Sequence, residues 1–433
     1  MACVLVIGGG GREHAMAWAL ANSPRVDRLI CAPGNAGTAA IGENVAVDPA
    51  NHDALVGLAN ARDVAITVVG PEAPLCAGVV DRFEREGLRI FGPTAAAARI
   101  EGDKAYAKRL MKLAKVPTAE GRIFNHHDAA RAYVASRDTG VVVKAAGLAA
   151  GKGVSVCEDP ADALIVLEKM MVARNLGDAA NTVVVEEILK GPELSVFALV
   201  DGQTIYVLET AQDHKRVGEG DTGPNTGGMG AYSPAAVGND ELTEKIERDI
   251  LVPIVDALRN DGAAYRGLLY AGLILTAAGP KVLEFNCRFG DPETQPLLMR
   301  LESDFYALIE AVVEGRLAEA DVRWSPKPAV CVVMSSQGYP GSYNTGKVIE
   351  GLERAGGMAD VQVFQAGTKR VGERTVTSGG RVLGVTALGA DITDARLRAY
   401  AAAEAIQFEG AYFRRDIAAA RDRGVRESRD RGI

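Results

Sequence analysis

The sequence lacks the marks of disulfide-rich, membrane-spanning and nucleic-acid-binding proteins. Its six cysteines include no Cys-x-x-Cys pair, so neither a disulfide framework nor a zinc site is indicated, and a reducing compartment is expected. No apolar run reaches the ~18 residues that span a bilayer, and no basic, signal-like segment precedes the first strand. The 48 basic and 56 acidic residues give a net charge of −8, which offers no basic face to a nucleic acid. We therefore expect a cytoplasmic protein with no nucleic-acid or membrane partner.

Glycine, by contrast, is abundant. It accounts for 49 of 433 residues, against about 30 at the usual frequency of ~7%. The excess lies in short patches between strand-like runs, where backbone must approach a ligand closely or take positive φ. With 48% hydrophobic and 24% charged residues, the chain has ample apolar side chain to bury, which excludes general disorder.

The length predicts about three domains, and the pattern along the chain divides accordingly. Residues 1–101 alternate strand and helix, which predicts a Rossmann-like domain with a parallel sheet. Residues 102–325 mix helices with antiparallel hairpins, one of them with a two-residue turn at positions 201–202. Residues 326–420 are predicted to form a mixed α/β C-terminal domain, and residues 421–433 a charged tail with little to bury. The predicted fold class is therefore multidomain, α/β at the amino terminus and α+β beyond it.

The first glycine patch, residues 8–11, follows a strand and opens a helix. Backbone N–H groups and the helix terminus in such a place bind an anion, typically a phosphate. A dinucleotide fingerprint is disfavoured, because its third glycine is replaced by Glu13 and the second strand ends without an acid for the ribose. The phosphate of a substrate smaller than NAD is favoured, and a tight turn that needs glycine only for its geometry stays open.

A second patch runs from Lys144 to Gly153 between two strand-like segments. It is no Walker motif, because three residues rather than four separate Gly147 from Gly151, and a glycine follows Lys152. A glycine loop with a lysine at its start and another inside it suits closure over nucleotide phosphates. A plain hairpin turn is the alternative.

Two further stretches point to a nucleotide and a metal. The strand-like run from Thr182 and its connector could offer backbone groups to an adenine edge and Glu193 to a ribose, although these residues alone fit any edge strand and turn. Along the strand that follows Val282, alternate residues share a face. Glu284, Asn286 and Arg288 therefore project together: a carboxylate and an amide oxygen form half a shell for Mg²⁺, and the arginine supplies a donor fork. The intervening Leu283, Phe285 and Cys287 are predicted to face the core, and a solvated polar face is the alternative for the outward three.

Residues 212–230 combine many polar groups with glycines, as active-site loops and disordered segments do. His214 within them is a poor candidate for a metal ligand or general base, since no partner lies near it in the sequence.

Together these segments resemble the glycinamide ribonucleotide synthetase family, the phosphoribosylamine–glycine ligases of the ATP-grasp superfamily, over nearly the whole chain. The resemblance rests on long motifs that occur in this order: GGGREHA at 9–15, APGNAGT at 32–38, GPEAPL at 70–75, GLAAGKGV at 147–154, QDHKRVGEGDTGPNTGGMGAYSP at 212–234, LEFNCRFGDPETQP at 283–296 and GYPGSY at 338–343. It implies an ADP-forming ligase that joins glycine to 5-phosphoribosylamine through a glycyl phosphate. It also implies a central ATP-grasp domain with a lid subdomain at about 118–190.

The resemblance assigns residues to each ligand. Those implied to bind ATP are Lys104, Lys144, Gly151, Lys152, Gly153, Glu186, Ile188, Leu189 and Glu193. Those implied to bind phosphoribosylamine are Gly10, Glu13 and Glu72. Asp213 and Arg288 are implied to bind glycine and the acyl phosphate, and they are also the implied catalytic residues. The implied ligands of Mg²⁺ or Mn²⁺ are Glu284 and Asn286.

Two departures from the family pattern stand out. Ala146 replaces the aspartate that usually follows Lys-Ala, and we expect that aspartate only to shape the loop. The strand before Glu284, over residues 269–275, carries no acid that could hold a first metal, so the number of metals is open. Another carboxylate–amine ligase of the superfamily, a non-catalytic nucleotide-binding relative and a dehydrogenase are the alternatives. We expect a monomer.

Overall fold

The computed structural model describes residues 1–149 and 151–419, so the predicted charged tail at 421–433 lies outside the described residues. The α-helices in these ranges are Gly11–Ala21, His52–Ala61, Glu72–Cys76, Val79–Arg85, Ala95–Gly102, Lys104–Leu113, His127–Ala135, Pro160–Leu167, Asp240–Ile246, Val252–Asn260, Thr294–Arg300, Phe305–Val313, Leu352–Gly356 and Ile392–Glu404. Short 3₁₀ and π turns cover Thr38–Ala40, Glu168–Val172, Gly177–Ala180, Glu247–Leu251 and Leu317–Glu319. None of the described helices is long and apolar enough to cross a membrane.

The N-terminal sheet is parallel throughout, as the alternation of strand and helix predicts. Its strands in spatial order are Glu43–Asn44, Val26–Pro33, Ala2–Gly8, Val64–Val69 and Ile90–Phe91. Every residue of the central strand Ala2–Gly8 is buried, because crossover helices cover both faces of a parallel sheet. The carboxyl ends of the two middle strands meet at one edge, where the first glycine patch and Glu72 follow them.

Two antiparallel sheets come next. The lid sheet contains, in spatial order, Gly121–Phe124, Val183–Glu187, Val141–Ala145 and Val154–Cys157. The central sheet contains Ile205–Val207, Glu193–Val200, Gly267–Thr276 and Gly279–Asn286. The predicted two-residue turn at 201–202 is wrong, because Val200 pairs with Ile205 and leaves a four-residue loop. The Asp201 carboxylate accepts hydrogen bonds from the backbone N–H groups of Gln203 and Thr204 and holds that longer loop.

The C-terminal sheet draws strands from two distant parts of the chain. Its spatial order is Gln212–Asp213, Gly230–Ser233, Ala329–Ser336, Arg381–Leu388 and Val361–Gln365, with Ala411–Tyr412 also paired to Ala329–Ser336. Two separate ribbons pair Arg216–Gly218 with Thr222–Asn225 and Thr368–Val371 with Arg374–Thr377. The polar segment at 212–230 is therefore ordered by strand pairing at both of its ends.

Candidate active site

The first glycine patch carries the chain from the first strand into the helix that follows it. Gly8 has φ +122°, a backbone conformation that side chains rarely adopt. The Glu13 carboxylate closes the turn by accepting from the Gly10 N–H at 2.6 Å and from Arg12 Nε at 2.6 Å. Arg12 also donates to the Phe289 carbonyl at 3.1 Å. The patch thus lies against the loop that follows the strand bearing Glu284, although 277 residues separate Arg12 from that loop.

Arg288 joins the N-terminal sheet to the central sheet. Its Nη2 donates to Glu101 Oε1 at 2.9 Å and to Asn286 Oδ1 at 3.3 Å, and its Nε lies 3.4 Å from Glu72 Oε2. The other oxygen of Glu101 accepts from the Cys287 N–H at 2.7 Å. Burial raises the pKa of Glu101 and the Arg288 guanidinium opposes that rise. Glu101 fixes the arginine fork in one orientation, and no local pattern in the sequence marks it.

Glu284 is a carboxylate surrounded by cations. The residue lies opposite Gly272 in the central sheet, and its carboxylate makes no hydrogen bond or ion pair with any residue that the structure describes. Burial alone raises its pKa, but Lys215, Lys104 and Lys144 outweigh burial and hold the pKa below its ordinary value. A charged, unpaired carboxylate beside three lysines is suited to a ligand that carries both a cation and several negative charges, such as a metal–nucleotide complex.

The donor set fits a hard divalent cation. Glu284 contributes carboxylate oxygens and Asn286 an amide oxygen from the same face of one strand, and such cations take oxygen ligands. Among the described residues no group of three or more His, Cys, Asp or Glu side chains is arranged to hold a metal. The remaining ligands would therefore be phosphate oxygens and water, as is usual for Mg²⁺ at nucleotide sites.

Leu283 departs from its predicted place in the core. The register shifts between Gly272 and Leu273, so that Leu283 is the extra residue of a β-bulge. Its carbonyl accepts from Lys144 Nζ at 3.0 Å, and its side chain is only half-buried. Phe285 and Cys287 are buried as predicted. Bulges re-aim neighbouring side chains, and this one directs a carbonyl towards the predicted nucleotide site.

A buried ion-pair network holds the lysine that precedes the glycine loop. Lys144 Nζ lies 2.7 Å from one carboxylate oxygen of Glu186, and Lys108 Nζ lies 2.6 Å from the other. Lys104 lies one turn before Lys108 on the same helix, and its N–H donates to the Ala146 carbonyl at 2.8 Å. The structure thus brings together Lys104, Lys144 and Glu186, all predicted, and adds Lys108, whose only sequence signal is its i+4 spacing.

The other predicted nucleotide-binding residues differ in how far they are buried. Ile188 and Leu189 are half-buried in the connector from the lid sheet to the central sheet. Gly153 is buried, whereas Gly151 and Lys152 are exposed, and a Cβ on Gly151 would meet nothing within 4 Å. Gly151 and Lys152 therefore lie at the surface, whereas the Gly153 carbonyl accepts from the Ala145 N–H at 2.8 Å, one residue after Lys144.

Asp213 and its neighbours close the site on the side of the C-terminal sheet. Asp213 pairs with Ala231 at the sheet edge, and Lys215 Nζ lies 2.7 Å from Glu193 Oε2. Burial raises the pKa of Asp213; Lys215 opposes that rise, and the nearby carboxylates, Glu293 first among them, reinforce it. Sequence reasoning chose Asp213 and Glu193 but missed Lys215, the cation that links them. His214, judged a poor functional candidate, accepts the Ala418 N–H at Nε2 over 3.1 Å.

Ala146 supports the loop through its backbone. Its carbonyl accepts from Lys104 and its N–H donates to Thr182 at 2.9 Å, and neither bond needs a particular side chain. We expect Ala146→Asp to change turnover by less than about tenfold, or about 1.4 kcal/mol, in steady-state assays, with Ala146→Asn as the uncharged control of equal size. A rise of several orders of magnitude would show that the aspartate acts in the chemistry.

This protein is an ATP-grasp ligase, a class defined by the lid sheet, the central sheet, the paired lysines and the Glu-x-Asn strand. The chain belongs to the phosphoribosylglycinamide synthetase family, whose N domain, ATP-grasp (A) domain and C domain match residues 2–101, 102–294 and 329–420. The resemblance read from the sequence and the predicted fold class are both confirmed.

Close relatives span the whole chain. It is 51% identical to the phosphoribosylamine–glycine ligase of Rhodopirellula baltica, over 96% of each chain. It is 49% identical to the enzyme of that name from Pseudomonas aeruginosa, over 97% of this chain and 99% of the other. The crystal structure of the Thermotoga maritima phosphoribosylamine–glycine ligase matches with a TM-score of 0.83 and 33% identity, over 96% of this chain and 99% of that one. The biotin carboxylase domain of Hydrogenobacter thermophilus 2-oxoglutarate carboxylase shares the fold at 17% identity, with a TM-score of 0.73 and coverage of 95% and 92%.

Proposed function

We propose that this chain joins glycine to 5-phosphoribosylamine, with cleavage of ATP to ADP and phosphate, and so forms glycinamide ribonucleotide for purine biosynthesis. The observation that carries the proposal is the position of Arg288, which lies between Glu72 of the N-terminal part and Asn286 of the metal-binding strand. A ligase must bring an amine and an activated carboxylate to one point, and this arginine stands between the two predicted binding regions.

ATP is proposed to lie between the lid sheet and the central sheet. Lys104 and Lys144 would hold its phosphates. The two oxygens of Glu186 are engaged by Lys108 and Lys144, so its contribution to adenine binding would come from backbone. The residues proposed to complete the nucleotide site are Ile188 and Leu189 for adenine, Glu193 for the ribose, and Gly151, Lys152 and Gly153 as the closing loop.

Glu284 and Asn286 would hold the divalent cation. Both Mg²⁺ and Mn²⁺ take carboxylate and amide oxygens as ligands. When bound, the cation supplies neutralisation of the phosphate charge during transfer. The protein's own part is to keep Glu284 ionised, which Lys215, Lys104 and Lys144 do by lowering its pKa against the effect of burial.

The chemistry then needs two steps. A glycine carboxylate oxygen forms a bond to the γ-phosphorus as the bond to ADP breaks, and the product is glycyl phosphate. The amine of phosphoribosylamine attacks the acyl carbon, phosphate leaves, and the nitrogen loses a proton. Arg288 would neutralise the charge that develops on the transferring phosphoryl group, and Asp213 would pair with the ammonium of glycine. Closure of the glycine loop would protect the acyl phosphate from water.

Phosphoribosylamine is proposed to lie at the edge where the first glycine patch meets Glu72. The Glu13 carboxylate is bonded to the Gly10 N–H and to Arg12, so it would shape the site as much as touch the ligand. Glu72 faces Arg288 and keeps 31% of its side chain exposed, which leaves an oxygen for the amine. We also propose a monomer as the working form and a cytoplasmic location.

A coupled ADP assay tests the function directly. ADP release from the purified protein should require both glycine and phosphoribosylamine, and should fall to background when either is left out. Turnover that persists without glycine would indicate another carboxylate substrate. ATP binding without any substrate-dependent turnover would indicate a nucleotide-binding relative that is not an enzyme.

A further inference from the structure

The last described segment of the chain is bonded to the active-site ribbon. We call residues 412–418 the clamp, and the hairpin of Arg216–Gly218 and Thr222–Asn225 the ribbon. Tyr412 Oη donates to the Val217 carbonyl at 2.9 Å, and the Gly220 N–H donates to Asp416 Oδ2 at 2.8 Å. These bonds join positions about 195 residues apart in the chain, so they are tertiary contacts that no local motif requires.

Arg414 is the centre of the clamp. Its side chain is 1% exposed, and its Nη1 donates to the Arg216 carbonyl at 2.9 Å and to Asp221 Oδ1 at 2.8 Å. Nε and Nη2 bind the two oxygens of Asp416 at 2.8 and 2.7 Å. A buried guanidinium with a bidentate carboxylate on one side has a fixed direction. Its remaining nitrogen therefore holds the ribbon at a fixed place.

The ribbon is continuous with the catalytic side of the site. Lys215, immediately before it, pairs with Glu193 at 2.7 Å, and Asp213 lies two residues earlier. The clamp also reaches the residue between them, because the Ala418 N–H donates to His214. The helix Ile392–Glu404 stabilises the clamp, because Tyr400 Oη donates to the Arg414 carbonyl at 2.7 Å.

We infer that Arg414 is a positioning residue for the glycine subsite, acting through the ribbon on Asp213 and Lys215. The inference rests on the proposed function, because it takes Asp213 as the partner of glycine. The clamp is not bonded to the edge where phosphoribosylamine is proposed to bind, so the two substrates should respond differently when it is loosened.

The test is steady-state kinetics on the full-length enzyme with Arg414→Met. The KM for glycine should rise at least about tenfold, equivalent to about 1.4 kcal/mol, while the KM for phosphoribosylamine stays within about twofold, and Arg414→Lys should recover part of the loss. Arg415→Met is the matched control: its side chain is 65% exposed and pairs with Glu404 instead of the ribbon. An unchanged KM for glycine, or a fall in kcat with every KM unchanged, would overturn the inference.

Arg414→Met leaves Asp416 without its partner and could prevent folding, so a second variant keeps the test decisive. Asp221→Ala removes the ribbon's own carboxylate, which is 65% exposed, and leaves the buried Arg414–Asp416 pair intact. It should raise the KM for glycine about threefold or more, and an unchanged value would overturn the inference. Failure of the proposed function is a separate result, because wild-type turnover would then not depend on glycine at all.

Discussion

Replacement of Glu284 by alanine is expected to lower kcat at least about 10³-fold, the scale of losing a charge-stabilising contact in a transfer reaction. The carboxylate has no protein partner among the described residues, so its removal breaks no hydrogen bond in the free enzyme. What it removes is the charged carboxylate beside Lys104, Lys144 and Lys215, which we propose as a metal ligand. The melting temperature should therefore change by only a few degrees, as measured by calorimetry on the same preparation.

The control for Glu284→Ala is Glu244→Ala, which removes an exposed carboxylate from the helix Asp240–Ile246. It should leave kcat and its dependence on Mg²⁺ unchanged. Activity of Glu284→Ala within tenfold of the wild type would refute the metal-binding role, and so would an unaltered midpoint in a titration with Mg²⁺.

Replacement of Arg288 by lysine is expected to lower kcat by about 10²–10³-fold, although the charge is kept. Arg288 contacts Glu101, Glu72 and the Phe289 carbonyl with three different nitrogens. A lysine has a single nitrogen and no planar fork, so it cannot hold its charge in the same position. The KM for ATP should change little, since Lys104 and Lys144 are proposed to hold the nucleotide between the lid sheet and the central sheet. Single-turnover measurements of glycine-dependent ADP formation would place the loss in the transfer step.

Arg300→Lys provides the matched control, because the Arg300 side chain is also largely removed from solvent (4% exposed, against 16% for Arg288) and is paired with Glu209 at 3.1 Å, but lies outside the site. Both variants are expected to lose some thermal stability, since each loses hydrogen bonds to buried partners. Only Arg288→Lys should lose catalysis; a comparable loss of kcat in both would mean that the effect is structural.

The features that could be predicted from the sequence are those set by residues close together in the chain. Alternation along one strand predicted that Glu284, Asn286 and Arg288 share a face, because side chains in a strand repeat every two residues. The strand ends at Asn286, and Arg288 lies just beyond it, with Nη2 3.3 Å from Asn286 Oδ1. The resemblance to a family added Glu186 and Asp213. Neither the strand pattern nor the family resemblance identified Glu101. It lies 187 positions from Arg288 in the chain, and its helix Ala95–Gly102 contains no other polar residue except Arg99. Lys108 and Lys215 were missed for the same reason, since an ion pair between distant residues depends on how two elements pack.

Two local predictions failed for reasons of hydrogen bonding. The loop after Val200 is longer than its sequence indicates, because Asp201 can bond the backbone on the far side of it. Leu283 left the core because the strand bulges there. The structure gives the C-terminal glycine pair at 379–380 a packing role. A Cβ on Gly380 would lie 2.4 Å from the ring of Tyr339, and one on Gly367 would lie 2.6 Å from the backbone of Gly379.

The shared C-terminal sheet determines when the active site can be completed during synthesis. The strand Gly230–Ser233 pairs with Ala329–Ser336, which leaves the ribosome about a hundred residues later. The ribbon cannot form its bonds to residues 412–418 until those residues have been synthesised. Domains fold as they emerge, amino terminus first, so the lid and central sheets can form while the segment with Asp213 still lacks its place. A nascent or truncated chain would therefore contain the proposed ATP site before it contains the proposed glycine site. Only a chain made to its last strand can couple the two.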